Sequence, residues 1–239
     1  MLLWIIAAFA AFFVKGLCGF ANTLVFTSIM GFGAANVAIS PVELMIGYPA
    51  NFILTWKNRK KLDPKVFIPL AVLVLAGCIP GALLLKNVNA AYIKVVFGVV
   101  IILLGAEMFL REQGRLKFKE SRPVLVIIGF LSGILCGLFG VGALLAAYVG
   151  RVTESGDEFK ANISAVFIAE NTFRLILYSV MGIITLDGLK QALVLMPFVI
   201  GGLLLGMRSS KVLEEKTVKR LVIVLLIVSG AALILLNTL

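Results

Sequence analysis

The chain has 239 residues, 61% of them hydrophobic and only 14% charged, with 22 Lys and Arg against 12 Asp and Glu. A soluble domain of this length is about half apolar and a quarter charged, so the excess points to membrane helices rather than a soluble core. The surplus of +10 sits in short loops between apolar runs, the pattern of membrane topology, and offers no basic, aromatic-interleaved face for a nucleic acid. With no histidine, and with Cys18, Cys78 and Cys136 all inside apolar segments and in no CxxC pair, structural zinc, a disulfide framework and a Cys–His nucleophile are excluded.

Eight apolar stretches follow one another, at 2–34, 42–56, 66–85, 91–110, 123–149, 160–181, 189–207 and 219–238. Roughly 20 apolar residues cross a bilayer core. The first stretch opens like a signal peptide at Met1 to Val14, but it lacks a basic start and its counterpart near Val126 is internal, so it is expected to be retained. It is too long for one span and is broken by glycines at Gly16-Leu-Cys-Gly19-Phe-Ala21-Asn-Thr-Leu24. The fifth stretch is likewise too long for one span and has the same break, at Gly137-Leu-Phe-Gly140-Val-Gly142-Ala-Leu-Leu145. A shift of 121 residues superimposes the two, and a shift of 125 aligns Gly81, Lys86, Lys94 and Gly105 with Gly206, Lys211, Lys219 and Gly230. Two matches in the same order imply duplication, with repeats at 1–115 and 123–239 joined by a charged linker at 116–122.

Loop charge orients the repeats. If each broken stretch crosses once, Lys and Arg divide 11 against 9 between the two sides. If each folds into a hairpin and returns to its own side, the division is 17 against 3, with Lys86, Lys94 and Lys190 alone outside. The positive-inside rule selects the hairpins. Each half then crosses an odd number of times, which predicts an all-α membrane fold of two inverted repeats, each a glycine-broken hairpin plus three transmembrane helices. Both termini are expected outside the cell (inner) membrane. Broken helices in inverted repeats are common in secondary transporters, whose sites lie at the midplane between repeats.

That topology leaves Lys15 and Arg174 as the cations at membrane depth, where a charge costs at least a few kcal/mol and usually serves function. Lys15 precedes the first glycine break. Glycines such as Gly19 let the chain turn, and the arm beyond presents unpaired N–H groups, with Asn22 and Thr23 as further donors. Gly140 occupies the matching place in the second half. Ser164, Asn171, Arg174 and Tyr178 form a stripe at spacings of 7, 3 and 4, one polar face of a helix. Glu170, four residues before Arg174, forms an intrahelical pair with it that a competing anion or a proton on Glu170 would open. The equivalent helix of the first half carries Tyr48, Asn51 and Thr55. Two further acids read as structural. Ser40-Pro41-Val42-Glu43 has the form of a capping box with proline at the first helical position, and Glu107 precedes Arg111 by four residues at the inner end of its helix.

With these features in place the chain resembles the TauE/SafE family of membrane permeases along essentially its whole length. The resemblance is carried by Gly16-Leu-Cys-Gly19-Phe-Ala21, by Gly133-Ile-Leu-Cys-Gly-Leu-Phe-Gly140-Val-Gly142, and by the stretch from Gly201 through Gly230. It implies transport, often export, of small sulfur-containing anions such as sulfite, sulfoacetate or other organosulfonates. The chain departs from the usual pattern at Ala21 and Asn22, where the first motif often keeps another glycine, and at Gly142-Ala143, where a longer glycine run is usual.

The expected function is therefore secondary transport of an oxyanion held by Lys15, Gly19, Asn22, Thr23, Asn51, Gly140, Asn171, Arg174 and Tyr178, with Glu170 as the proton-coupling group. A permease for a carboxylate or another small organic anion is the alternative. An enzyme is not expected: there is no GxSxG, no P-loop and no histidine, and a Ser132–Lys15 dyad is the one catalytic pairing conceivable. No cofactor and no metal are expected. The partners are a small anion and the lipid bilayer, with a homodimer left open and no nucleic acid.

Overall fold

A computed structural model describes residues 1–31, 36–87, 89–112, 122–140 and 142–210, together with isolated positions from 220 to 235. Among these, every regular element is helical: α1 (Leu2–Cys18), α2 (Asn22–Met30), α3 (Asn36–Lys57), α4 (Pro64–Asn87), α5 (Ala90–Glu112), α6 (Arg122–Phe139), α7 (Ala143–Val152), α8 (Gly156–Val180) and α9 (Leu186–Ser209), with a short 3₁₀ turn at Arg59–Lys61. Uninterrupted apolar sequence removed from water has to satisfy its backbone within the segment, and a helix does that. The segments over Pro64–Leu85, Gly156–Val180 and Leu186–Ser209 are each long and apolar enough to cross a bilayer. The 116–122 linker, but for Arg122, and the eighth apolar stretch, but for isolated positions, lie outside the described residues.

Both long stretches break at the glycines. Helix α1 ends on Gly19 at φ 86°, whose N–H closes onto Lys15 O at 2.7 Å, and α2 begins after Ala21, itself left-handed at φ 69°. The chain then doubles back, because the Trp4 and Phe26 rings, 22 residues apart in sequence, sit with centroids at 5.8 Å. Helix α6 likewise ends against Gly140 at φ 73°, and α7 starts after Gly142 and packs on α6.

Two helix pairs are in backbone contact through glycine. Gly202 abuts Phe9 O, Gly206 abuts Phe13 O and Gly16 abuts Leu203 O, so α1 and α9 run side by side in the same direction. Gly133 abuts Val74 O, Gly77 abuts Phe130 O, and Gly137 abuts Cys78 O, so α4 and α6 also run in one direction. A β-carbon at any of these positions would collide with a main-chain carbonyl. Small residues are what allow membrane helices to approach this closely. Each pair joins a helix of the N-terminal half to one of the C-terminal half.

The helix ends group accordingly. At one end of the molecule Lys57 Nζ lies 3.9 Å from Met207 Sδ, and Asp63 N donates to Asn162 Oδ1 at 2.9 Å, which brings together the ends of α3 and α9 and the start of α8. At the other end Ser40 Oγ and Tyr178 Oη are 3.0 Å apart, and Gly188 packs beside Val42 and Met45.

One expectation is overturned here. Helix α3 begins at Asn36 and runs straight through Pro41, so Ser40 is not its N-cap and Glu43 is not the third residue of a capping box. The Glu107–Arg111 pair cannot be placed, because the Arg111 side chain lies outside the described residues.

Candidate functional site

The first hairpin supplies a cation and a helix start. Lys15, in the last turn of α1 and 1% exposed, donates to Asn22 Oδ1 at 2.9 Å and sits 5.5 Å from the Phe167 ring centroid. Just past the turn, the N–H groups of Asn22, Thr23 and Leu24 have no helical carbonyl to bond to, and the helix dipole adds partial positive charge there. Nothing on Ala21 caps them.

Helix α8 supplies the second cation. Arg174 is 1% exposed and is gripped from three elements. Its Nη1 donates to Cys136 O at 2.6 Å, an oxygen in the last turn of α6 that also accepts from Gly140 N at 2.8 Å, and its Nη2 donates to Asn171 Oδ1 at 3.4 Å. Glu170 Oε1 stands 3.2 Å from Nε, and Glu43 Oε2 stands 3.6 Å from Nη2. Gly140, at the tip of the second hairpin, touches the same cluster. A β-carbon there would fall 2.7 Å from Arg174 Nη1, 3.0 Å from Thr23 Cγ2 and 3.1 Å from Glu43 Oε2. The tips of the two hairpins therefore meet at Arg174.

Between them lies a cavity of about 20 Å³ lined by Lys15, Phe20, Ala21, Asn22, Thr23, Leu24, Glu43, Asn51, Gly140, Gly142, Phe167, Glu170, Asn171 and Arg174. That is room for one or two water molecules. Eight of the residues singled out from sequence line it: Lys15, Asn22, Thr23, Asn51, Gly140, Glu170, Asn171 and Arg174. Two do not. Gly19 forms the turn itself and packs on the Lys160 stem, and Tyr178 lies one turn beyond Arg174, donating to Gly137 O at 2.7 Å. Asn51 presents an Oδ1 with no hydrogen-bond partner among the described residues. Ser132 is buried on α6, also without a partner there, while the Lys15 ammonium is bonded to Asn22, so no Ser–Lys hydrogen bond exists among the described residues.

Sequence reasoning missed Glu43. Its Oε1 accepts from Asn22 Nδ2 and from Thr23 Oγ1, both at 2.6 Å, which makes it the most fully bonded acid in the cavity. The available signal was the i, i+4, i+8 spacing of Glu43, Gly47 and Asn51, which puts them on one face of α3. Gly47 is small enough to let Glu43 and Asn22 close over it.

A bundle of apolar helices, broken at mid-length around buried charges, defines a polytopic membrane protein with an internal polar site. The chain matches the family model described as Sulfite exporter TauE/SafE over residues 4–233, and it belongs to that family, which consists of membrane transporters of the sulfite-export type and not of enzymes. No curated protein and no solved structure matches the chain.

Proposed function

We propose that this protein is a secondary transporter that exports small sulfur-containing anions, among them sulfite, sulfoacetate and other organosulfonates, through a site at the bilayer midplane between two inverted repeats. The observation that carries this reading is the convergence of two buried cations, Lys15 and Arg174, on one cavity that also receives the N-terminal end of α2. A pyramidal or tetrahedral –SO₃ group suits converging N–H donors together with one or two fixed cations. Asn22, Thr23, Asn51 and Asn171 add neutral hydrogen bonds, Gly140 lets the second tip close on the anion, and Gly19 and Tyr178 hold the turn and the Arg174 helix in place. Glu170 is a proton-coupling residue: charged, it holds one flank of Arg174, and a proton on it releases that flank.

The inverted arrangement of 1–115 and 123–239, in the inner membrane with both termini outside, is supported by the helix directions. Helix α1 runs with α9 and α4 with α6, while the ends of α3 and α9 share one end of the molecule. That end carries Lys57, Arg59, Lys60, Lys61 and Lys65 together with Arg208, as the positive-inside rule requires for a cytoplasmic face.

Reconstituted protein tests the site. Lys15→Ala and Arg174→Ala are each expected to abolish sulfite efflux from proteoliposomes while the protein remains monodisperse; wild-type rates in both would remove these residues from the mechanism. A second reading, a carboxylate permease, is favoured by one observation, since a carboxylate, that of Glu43, already occupies the donors of Asn22 and Thr23. Thermal-shift measurements with sulfite, sulfoacetate, taurine and simple carboxylates separate the two.

A further inference from the structure

Glu43 stands where the anionic group of a substrate belongs, if the cavity is the transport site described above. It takes both neutral donors at the start of α2, at 2.6 Å each, and one flank of Arg174 at 3.6 Å. Glu170 takes the other flank at 3.2 Å. With about 20 Å³ free, the cavity has no space for a sulfonate group beside them. An entering anion has to displace a carboxylate from the same atoms it would use.

Charge restricts how that happens. The groups facing Glu43 are Lys15 from α1, Arg174 and Glu170 from α8 and the Cys136 thiol from α6. Lys15, Glu43, Glu170 and Arg174 are all at most 2% exposed, and their formal charges cancel. Adding an anion to a neutral, desolvated set would leave uncompensated negative charge at membrane depth, which the low dielectric penalises heavily. A proton arriving with each negative charge removes that penalty. A protonated Glu43 also loses its charge attraction to Arg174 and holds the donors of Asn22 and Thr23 only as a neutral acceptor, which a charged substrate group displaces. Glu170 bonds neither of those donors, so its protonation alone cannot vacate them.

We propose that Glu43 is a built-in competitor for the substrate, and that the site trades carboxylate charge for substrate charge one for one: protons taken up on Glu43, and on Glu170 for a second charge, travel with the anion, so that transport is electroneutral. Net flux then follows the gradients of anion and proton and not the membrane voltage.

Proteoliposomes with a valinomycin-clamped potential and an internal pH dye test this. For the wild type, methanesulfonate and sulfite fluxes are expected to be the same at every clamped voltage, with one proton moving per methanesulfonate and two per sulfite dianion. For Glu43→Gln, methanesulfonate flux is expected to become voltage-driven and free of proton movement, and the thermal shift it produces is expected to lose its dependence on pH. Voltage-driven wild-type flux overturns the inference while leaving the transport reading intact, and so does a Glu43→Gln variant that keeps the wild-type proton ratio. If Glu43→Gln does not fold, the wild-type voltage measurement decides alone. Wild-type protein that neither moves nor is thermally shifted by sulfite, methanesulfonate or acetate overturns the transport reading and this inference together.

Discussion

Arg174 and Ala21 show how far single residues depart from what their surroundings favour. A guanidinium at bilayer depth is tolerated here because five groups from α3, α6 and α8 surround it: Cys136 O, Asn171, Glu170, Glu43 and the Tyr178 ring, whose centroid is 5.7 Å away. Ala21 pays a conformational penalty, because at φ 69° it is the one residue other than glycine in the left-handed region among the described residues. That region costs an L-residue roughly 1–2 kcal/mol, partly offset by the extra freedom a glycine loses on folding. Ala21→Gly is therefore expected to stabilise the protein by about 1 kcal/mol, read as a higher midpoint of thermal unfolding in detergent. At this scale the sequence was legible where charge stood alone in apolar surroundings, as for Lys15 and Arg174. Glu43 was misread despite its spacing from Gly47 and Asn51, because Ser40-Pro41-Val42-Glu43 satisfies a local capping rule that only the earlier start of α3, at Asn36, cancels.

Among the elements, the glycines divide into two kinds. Gly19 and Gly140 are needed for backbone conformation, at φ 86° and 73°, and the repeated G-x-x-G-x-small pattern revealed them. Gly77, Gly133, Gly137, Gly16, Gly202 and Gly206 are needed for close approach between helices, and no local pattern indicated which helix each would meet. Contacts across such separations depend on packing that no local pattern encodes. Gly201 provides a control, since no atom of a neighbour lies within 4 Å of where its β-carbon would be. Gly206→Ala and Gly77→Ala are expected to lower stability by about 1–3 kcal/mol through main-chain displacement. Gly201→Ala, five residues before Gly206 on the same helix α9, is expected to leave stability unchanged or raise it by up to about 1 kcal/mol. Unfolding midpoints of the three purified variants check this, and equal losses at Gly201 and Gly206 would refute the contact argument.

For the whole molecule, the count of loop charges uses a constraint imposed by the membrane on every loop at once. The Lys57–Met207 contact, which puts the ends of α3 and α9 together, is in keeping with it. In a background lacking Cys18, Cys78 and Cys136, single cysteines placed within 57–65 and within 208–220 are expected to react with an impermeant maleimide from the same side of oriented vesicles. A cysteine at position 2 is expected to react from the opposite side. Labelling of the two basic segments from opposite sides would eliminate the inverted arrangement. The charge count said nothing of which helices pair, and there the molecule departs from the simple picture of two separate halves. Helix α1 lies against α9, and α6 lies against α4.

That exchange bears on how the protein is made. Helix α1 is translated well before α9, whose Gly202 and Gly206 close over Phe9 and Phe13, so the first hairpin waits in the insertion machinery or in lipid with that seam open. The first half completes its packing only once the second half has been made.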